Sequence, residues 1–585
     1  NMTGVTRVHA ELGLTGEGVK VGVIDTGIDY NHPALGGCFG PGCKVAFGYD
    51  FVGDNYTGKN DPKPSADPMD CAGHGSHVAG IVGASDNVVT GVAPKVLLGA
   101  YRVLGCNGST NDDVIIAALE RAAKDKMDVI NLSIGEPNGW PENPVSKAIK
   151  RLERQGIMIT VSHGNENTQG LFSTNYVATG PAVMSVASFI NTRTLLTYFT
   201  VPLVPGRYFL YRRPDKLGLN RTLPIVAQLN GTELGNGCDP FQDDLTGKAV
   251  LILRGGCVFA QKAANALAKG AVGVLFVNNV VETLTADIKD VNIMSGAMSL
   301  QDGQILFSHL KSVQPQPAGG RLSGETTASF SENPESFINP AGGTMSVFSS
   351  YGLDNELHIK PDIGAPGENI YSTWPLRNGS YTTLSGTSMA SPHVAGALAL
   401  AIEHLRKLDS TSRVLTTSHI QRIYATFKNT AEPAYGDKGR AYVESVAKQG
   451  SGMVNIYRAL TSLALTHVFP SMLELNDTSA AVIETSGRTG GQIRYITISN
   501  YGPKTVKYEL SHITAEGLHE LSIENKETKL RNLDTYNVTS PTDKGVDDVM
   551  FAEAKATRRV AVTIFAPTQG IPKDQHWIYS GYIVV

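Results

Sequence analysis

The stretch DDVIIAALERAAKDKMDVINLSIG, Asp112 to Gly135, decides the fold class. Its first half carries Val114, Ile115, Ala118, Leu119 and Ala122 on one helical face, with charged residues opposite. Its second half, DVINLSIG, is a short continuous apolar run, the pattern of a strand covered on both sides. Outward from it, VKVGVID (Val19 to Asp25) and KVLLGAYRVLG come before, and GIMITVSHGN and AVMSVAS come after. Continuous apolar strands alternating with amphipathic helices predict an α/β domain, a parallel sheet with helices on both faces. Ligands in such sheets gather at the carboxyl ends of the strands. Asp25, Gly135 and Asn165 all fall at such ends, so three polar features converge on one edge.

The chain of 585 residues has room for roughly three or four domains. Apolar residues make up 41% and charged residues 18%, as in folded globular proteins. A net charge of −4 gives no basic field for nucleic acid or anionic membranes. No apolar run reaches the length of a membrane span; the longest, Val394 to Ile402, reads as a buried helix. The opening residues lack a basic region followed by an apolar stretch, and a processed form is expected. The closing WIYSGYIVV reads as a strand without a tail, which leaves open whether the native chain extends beyond Val585.

From about Val201 to Ser336 the pattern changes to short strand-like runs, and the α/β pattern is expected to resume at MSVFSSYG. That middle section reads as a domain inserted in a loop. From about Phe469 onward, runs rich in Thr, Val, Ile and Tyr between turn residues predict a β-sandwich.

Three motifs carry chemistry: GVIDTGIDYNHP around Asp25, CAGHGSHVAG around His74, and SGTSMASPHVAG around Ser388. An acid, a base and a hydroxyl are the three parts that make serine a nucleophile. Ser388 stands where a polar, small-residue loop enters an apolar helix, and the unpaired N–H groups of a helix N-terminus suit a developing negative charge. A dinucleotide-binding reading of GEGVKVGVIDTG fails, because its glycines Gly16 and Gly18 precede the strand instead of following it.

Together, and in the order Asp, His, Ser, these motifs resemble the signatures of the subtilisin-like serine proteases, over roughly 1–195 and 340–465. The layout, including DPMDCAGHG, is most similar to secreted fungal subtilases related to the bacterial minor extracellular protease. The inserted section, with NGCDP, RGGCVF and AKGAVGVLFVNN, resembles a mostly-β protease-associated domain over 196–339. Residues 466–585 resemble a fibronectin type III-like β-sandwich. The resemblance implies a secreted endopeptidase with Asp25 as orienting acid, His74 as general base and Ser388 as nucleophile. Asn165 would donate to the oxyanion, and a propeptide would be removed from the N-terminus. Protein or peptide substrates would lie between Ser133, Ile134 and Gly135 on one edge and Gly108 and Ser109 on the other, with Leu104 near the S4 pocket. His32, His77 and His393 are assigned packing roles, and His163 the site wall. The floor of the S1 pocket falls near Asn175, and no P1 preference follows. No cofactor is required for such chemistry. The loop ASDNVVTGVAP is shorter than the arrangement that binds calcium in this family, so no metal site is assigned there. A rival reading is a catalytically inactive or highly selective homologue acting through its accessory domains; the intact Asp25, His74, Asn165 and Ser388 weigh against inactivity.

Two further features agree with secretion. The six cysteines lie in local groups, Cys38 with Cys43, Cys71 with Cys106, and Cys238 with Cys257, compatible with three disulfides of open connectivity. Glycosylation sequons occur at Asn1, Asn55, Asn107, Asn220, Asn230, Asn378, Asn476 and Asn537, and one at Asn131 lies in an apolar run where no glycan fits.

Overall fold

The computed structural model describes residues 2–585 apart from 203, 205–206, 212–220, 280–285, 287, 289–290, 314–320, 332–334, 409–413, 437–442, 476–482, 486–487, 516, 521–527, 532–537, 540–548, 566–576 and 579. The chain forms two compact units, one of Asn1–Thr192 with Asn339–Val585 and one of Arg193–Ile338.

The first unit is built on a seven-stranded sheet in which every neighbouring pair is parallel. Its strands are β1 (Lys20–Asp25), β2 (Val45–Asp50), β3 (Leu97–Arg102), β4 (Val129–Leu132), β5 (Met158–Ser162), β6 (Met184–Ile190) and β7 (Ile363–Glu368). In space they run β7-β6-β5-β4-β1-β3-β2. The chain winds one way from β1 and then the other way from β4, so the switch point lies between these two strands.

Side chains alternate across the sheet into two cores. Val21, Val23, Val129 and Met158 enter one, with helix α1 (His74–Gly83) and the central helix α4 (Thr387–Leu408). Ile24, Ile130, Leu132, Ile159 and Val161 enter the other, under α2 (Asp112–Lys124) and α3 (Pro144–Glu153). The five residues expected on the buried face of α2 are its buried residues. Helix α4 is buried on nearly all sides from Thr387 to Glu403, with only Ser388 and His393 partly open. Such a helix needs small residues at close contacts; a Cβ on Gly396 would stand 2.6 Å from Val92 Cβ.

The expected resumption at MSVFSSYG is not a strand. Met345 makes a single antiparallel bridge to Phe189, residues 347–348 form a turn, and the next sheet strand is β7, IGAPGE. Between it and α4 lies a hairpin of β8 (Ile370–Thr373) and β9 (Tyr381–Leu384). Beyond α5 (Thr417–Asn429), antiparallel strands Thr466–Phe469, Arg488–Asn500 and Thr557–Phe565 pair in one sheet, with Ile496, Ile498, Tyr508, Ala552 and Val562 forming a small core.

The second unit is an eight-stranded mixed sheet with helices Phe259–Leu267 and Leu300–Ser312. Its strand Arg193–Thr200 pairs with Thr326–Phe330 and Glu335–Ile338, and so runs through the break expected after residue 195. Lys262 is fully buried there, donating to the carbonyls of Leu253 and Gly255 at 3.2 and 2.5 Å.

Glu403 of α4 is a buried carboxylate whose Oε2 accepts from the backbone N–H of Thr15 and of Gly16, at 2.7 and 2.6 Å. A Glu403→Ala variant leaves both donors without that partner, at a cost of about 1–3 kcal/mol each. A fall in Tm in a thermal melt is the expected result; an unchanged melting curve would contradict this role.

Candidate active site

β1 ends in Asp25, whose carboxylate is fully buried. Its Oδ1 accepts from the Thr26 backbone N–H at 2.8 Å and lies 2.8 Å from His74 Nδ1, with Oδ2 at 2.9 Å from the same nitrogen. A carboxylate only accepts, so Nδ1 of the neutral ring carries the proton and Nε2 is the acceptor.

The approach of α1 to this strand end depends on glycine. Gly73, just before His74, has φ +108, and a Cβ on Gly75 would stand 2.1 Å from Gly27 O and 3.1 Å from Asp25 Cβ. Asp70 caps the same helix end. Its Oδ1 accepts from the N–H of Ala72 and Gly73, and its Oδ2 from the N–H and hydroxyl of Ser76. Burial lowers the basicity of His74, but the charge and hydrogen bond of Asp25 and the charge of Asp70 outweigh it, so its pKa lies above the usual imidazole value.

Ser388 is the second residue of α4. Pro392, four residues on, has no N–H, so the Ser388 carbonyl lacks its helical donor. Ser133, just past β4, supplies one: its Oγ donates to Ser388 O at 2.9 Å, while Ser388 Oγ donates to Ser133 O at 3.3 Å. Ser133 Oγ in turn accepts from Asn131 Nδ2 at 2.9 Å. Asn131 Oδ1 accepts from Thr160 Oγ1 at 3.0 Å and Ser391 Oγ at 2.7 Å. A buried polar network therefore ties β4 and β5 to the first turns of α4. It also occupies the Asn and Ser of the Asn131 sequon, which is fully buried.

Register brings the two pairs together. Ile24 lies opposite Leu132 in the β1–β4 pair, so the next residues, Asp25 and Ser133, end neighbouring strands about 4.8 Å apart. His74 is held on the first and Ser388 on the second.

Asn165 follows β5 and Gly164. Its Oδ1 accepts from the backbone N–H and the hydroxyl of Thr387, both at 2.9 Å. A backbone N–H can only donate, which fixes this atom as the oxygen and turns Nδ2 the other way. A Cβ on Gly386 would stand 3.6 Å from both Asn165 Nδ2 and Ser388 N. Two nitrogens thus border the small space that Gly386 leaves open. Sequence reasoning missed the parts of Gly386, Thr387 and Asn131. The GTS run was visible, but which atom of Asn165 it fixes depends on a contact 222 positions away in sequence.

Two expected pocket residues are placed differently. His163 is fully buried, with Nδ1 3.0 Å from Ser185 Oγ, and burial pushes its pKa down to about 3. It belongs to the core, not the site wall, and is neutral near pH 7. Asn175 presents no polar floor. Its Nδ2 donates to Ile134 O and Ser162 O at 2.8 and 2.9 Å, and its Oδ1 accepts from Val177 N–H at 3.0 Å. It packs directly under Gly135, where a Cβ would fall 1.9 Å from Asn175 Oδ1.

The three histidines assigned packing roles, His32, His77 and His393, tie segments together. His77 Nε2–H faces the carbonyls of Ile370 and Thr382 at 3.1 and 3.2 Å, with burial lowering its pKa to about 3. His32 Nε2–H donates to Ser380 O at 2.8 Å, and His393 Nε2 lies 2.9 Å from Thr3 Oγ1. In the loop ASDNVVTGVAP, Asp86 Oδ1 accepts from Val88 and Val89 N–H at 2.8 and 2.7 Å, and its Oδ2 from the hydroxyl of Tyr381.

Disulfides join Cys38 to Cys43, Cys71 to Cys106 and Cys238 to Cys257. The second links the loop before His74 to the segment holding Leu104, Gly108 and Ser109. Arg102 is buried beside it, donating to Asp54 Oδ1 at 2.8 Å and lying 3.0 Å from Cys71 Sγ. Asn55, Asn107, Asn230 and Asn378 are exposed, while Asn1, Asn220, Asn476 and Asn537 lie outside the described residues.

The Peptidase S8 subtilase family matches residues 16–454. The minor extracellular protease Vpr of Bacillus subtilis (strain 168) is 34% identical over 471 residues, covering 78% of this chain and 53% of Vpr. The PII-type proteinase of Lactococcus lactis subsp. cremoris is 27% identical over 530 residues, covering 79% of this chain and 27% of that proteinase. The C5a peptidase of Streptococcus pyogenes serotype M1 is 28% identical over 501 residues, covering 76% of this chain and 39% of that peptidase. The chain belongs to the subtilase family. It spans about half the length of Vpr and less of the other two.

Ser133→Ala leaves the Ser388 carbonyl without its side-chain donor, at a cost of about 1–3 kcal/mol. Asn131→Ala, which removes the partner of three hydroxyls, lowers Tm further. Equal melting temperatures for both variants and the parent would contradict this network.

Proposed function

We propose that this protein is a secreted serine endopeptidase that cleaves extended protein segments through an acyl-enzyme. The observation that carries this reading is the pairing of Asp25 with His74 and of Ser133 with Ser388 on neighbouring strand ends. At rest the Ser388 hydroxyl donates to Ser133 O. Rotation about its side-chain bond presents it to His74 Nε2, the acceptor that the Asp25 contact leaves available. His74 takes the proton as Ser388 Oγ attacks the scissile carbonyl, and Asp25 stabilises the imidazolium. The oxyanion enters the space beside Gly386, between Asn165 Nδ2 and Ser388 N–H. His74 then protonates the leaving amine, and water enters by the same route to release the acyl group. The chemistry draws on side chains and backbone alone.

Substrate would lie as an added strand between Ser133–Gly135 and the lip of Leu104, Gly108 and Ser109. Main-chain pairing favours extended, accessible segments over a particular side chain. Residues 196–339 and 466–585 are assigned as protease-associated-like and fibronectin type III-like domains on sequence resemblance. Three disulfides and an extracellular relative support secretion, with glycans at the exposed sequons.

A fluorophosphonate probe should label the folded protein at Ser388 and at no other serine; an unlabelled Ser388 would overturn the reading. Gly386→Ala places a methyl at ordinary contact distance from its neighbours, so Tm should hold while kcat falls about 10²–10³-fold, as for loss of an oxyanion donor. Retained turnover would remove the oxyanion assignment. His74 acts as base only when neutral, so kcat/KM should fall as pH drops through its raised pKa. Asp25→Asn should move that acid limb to lower pH and cut kcat by about 10⁴. An acid limb that stays in place would contradict the pairing.

A further inference from the structure

The lip of Leu104, Gly108 and Ser109 carries sequons that the catalytic reading leaves unused. Asn107-Gly108-Ser109 lies within it, and Asn55-Tyr56-Thr57 lies in the segment behind it. The two segments touch through their backbones. Cys106 N–H donates to Asp54 O at 2.9 Å. Cβ atoms on Gly105 and Gly108 would fall 2.1 and 2.0 Å from Tyr56 O. Tyr56 is buried, while Asn55 and Asn107 are both exposed. The Cys71–Cys106 disulfide ties the lip to the loop before His74, and buried Arg102 pairs with Asp54 in the neighbouring segment. Both asparagines thus stand on the solvent side of this lip, so a group attached to either would project into the solvent beside it.

We propose that Asn55 and Asn107 are N-glycosylated, and that their glycans fence the nonprimed side of the substrate cleft, selecting substrates by bulk. The proposal rests on reading this lip as a substrate edge. Each modification joins Asn Nδ2 to C1 of a sugar supplied as a lipid-linked diphosphate oligosaccharide. The C1–O bond breaks, the lipid diphosphate leaves, and one Nδ2 proton is lost to base. N-linked glycans are bulky, hydrated surface groups. A slender, flexible segment adds to the lip as a strand and passes alongside them. A folded domain, with mass on both flanks of its scissile loop, collides. Specificity then comes from an obstacle to the wrong substrate rather than from a pocket for the right one.

The test uses the full-length enzyme as secreted by its own host. Glycopeptide mass spectrometry reads occupancy at Asn55 and Asn107. Endoglycosidase trimming of the folded enzyme, which leaves the polypeptide unaltered, is followed by kcat/KM on a short peptide and on a natively folded protein. Both sites should be occupied, and trimming should raise kcat/KM for the folded protein roughly three-fold or more while leaving the peptide unchanged. Bare asparagines on an active enzyme would overturn the fence alone, as would trimming that moves both substrates equally or moves neither. An untrimmed enzyme that hydrolyses neither substrate would overturn the proteolytic reading and the fence with it.

Discussion

The site is built around a carboxylate with no access to water. Asp25 ends the central strand fully buried, and a buried charge persists only where donors compensate it. Thr26 N–H and His74 Nδ1 supply them. That need constrains much of what surrounds it. Helix α1 must come close enough to deliver His74, which calls for glycine at 75 and a left-handed turn at Gly73. Asp70 must hold the helix end in place by accepting from four donors.

A second constraint acts through α4. A proline inside a buried helix leaves a carbonyl without its donor, and here that carbonyl belongs to Ser388. Ser133 Oγ fills the vacancy and so registers Ser388 against the end of β4. Because β4 lies beside β1, fixing Ser388 to one strand and His74 to the other sets their relation through sheet spacing. The crowd of hydroxyls at the mouth of α4 has distinct uses: Thr387 orients Asn165, Ser388 donates to Ser133 O, and Ser391 anchors Asn131.

Much of this was legible in the linear sequence, for identifiable reasons. Buried parallel strands read as unbroken apolar runs, so five of the seven sheet strands stood out, along with the buried face of α2. Strand β7 did not, because IGAPGE holds two glycines and a proline, which signal a break. It ends the strand order, with β6 on one side and a single bridge from Gly364 to Met453 on the other, and its register shifts between Pro366 and Glu368, which accommodates them. The motif residues were legible because their chemistry is written in residue type. What they touch was not. Asn175 looked like a pocket floor because its position along the chain was countable, while its three hydrogen bonds to backbone were not. His163 stood next to Gly164 in sequence but points into the core.

The central claim is that Ser388 Oγ, His74 Nε2 and the two donors beside Gly386 meet around one reacting carbon. A crystal structure of the phosphonylated protein tests it most directly. The account predicts phosphorus bonded to Ser388 Oγ and a phosphoryl oxygen within about 2.7–3.1 Å of both Asn165 Nδ2 and Ser388 N. A phosphoryl oxygen turned away from both donors, or an imidazole of His74 separated from Asp25 in the adduct, would contradict it.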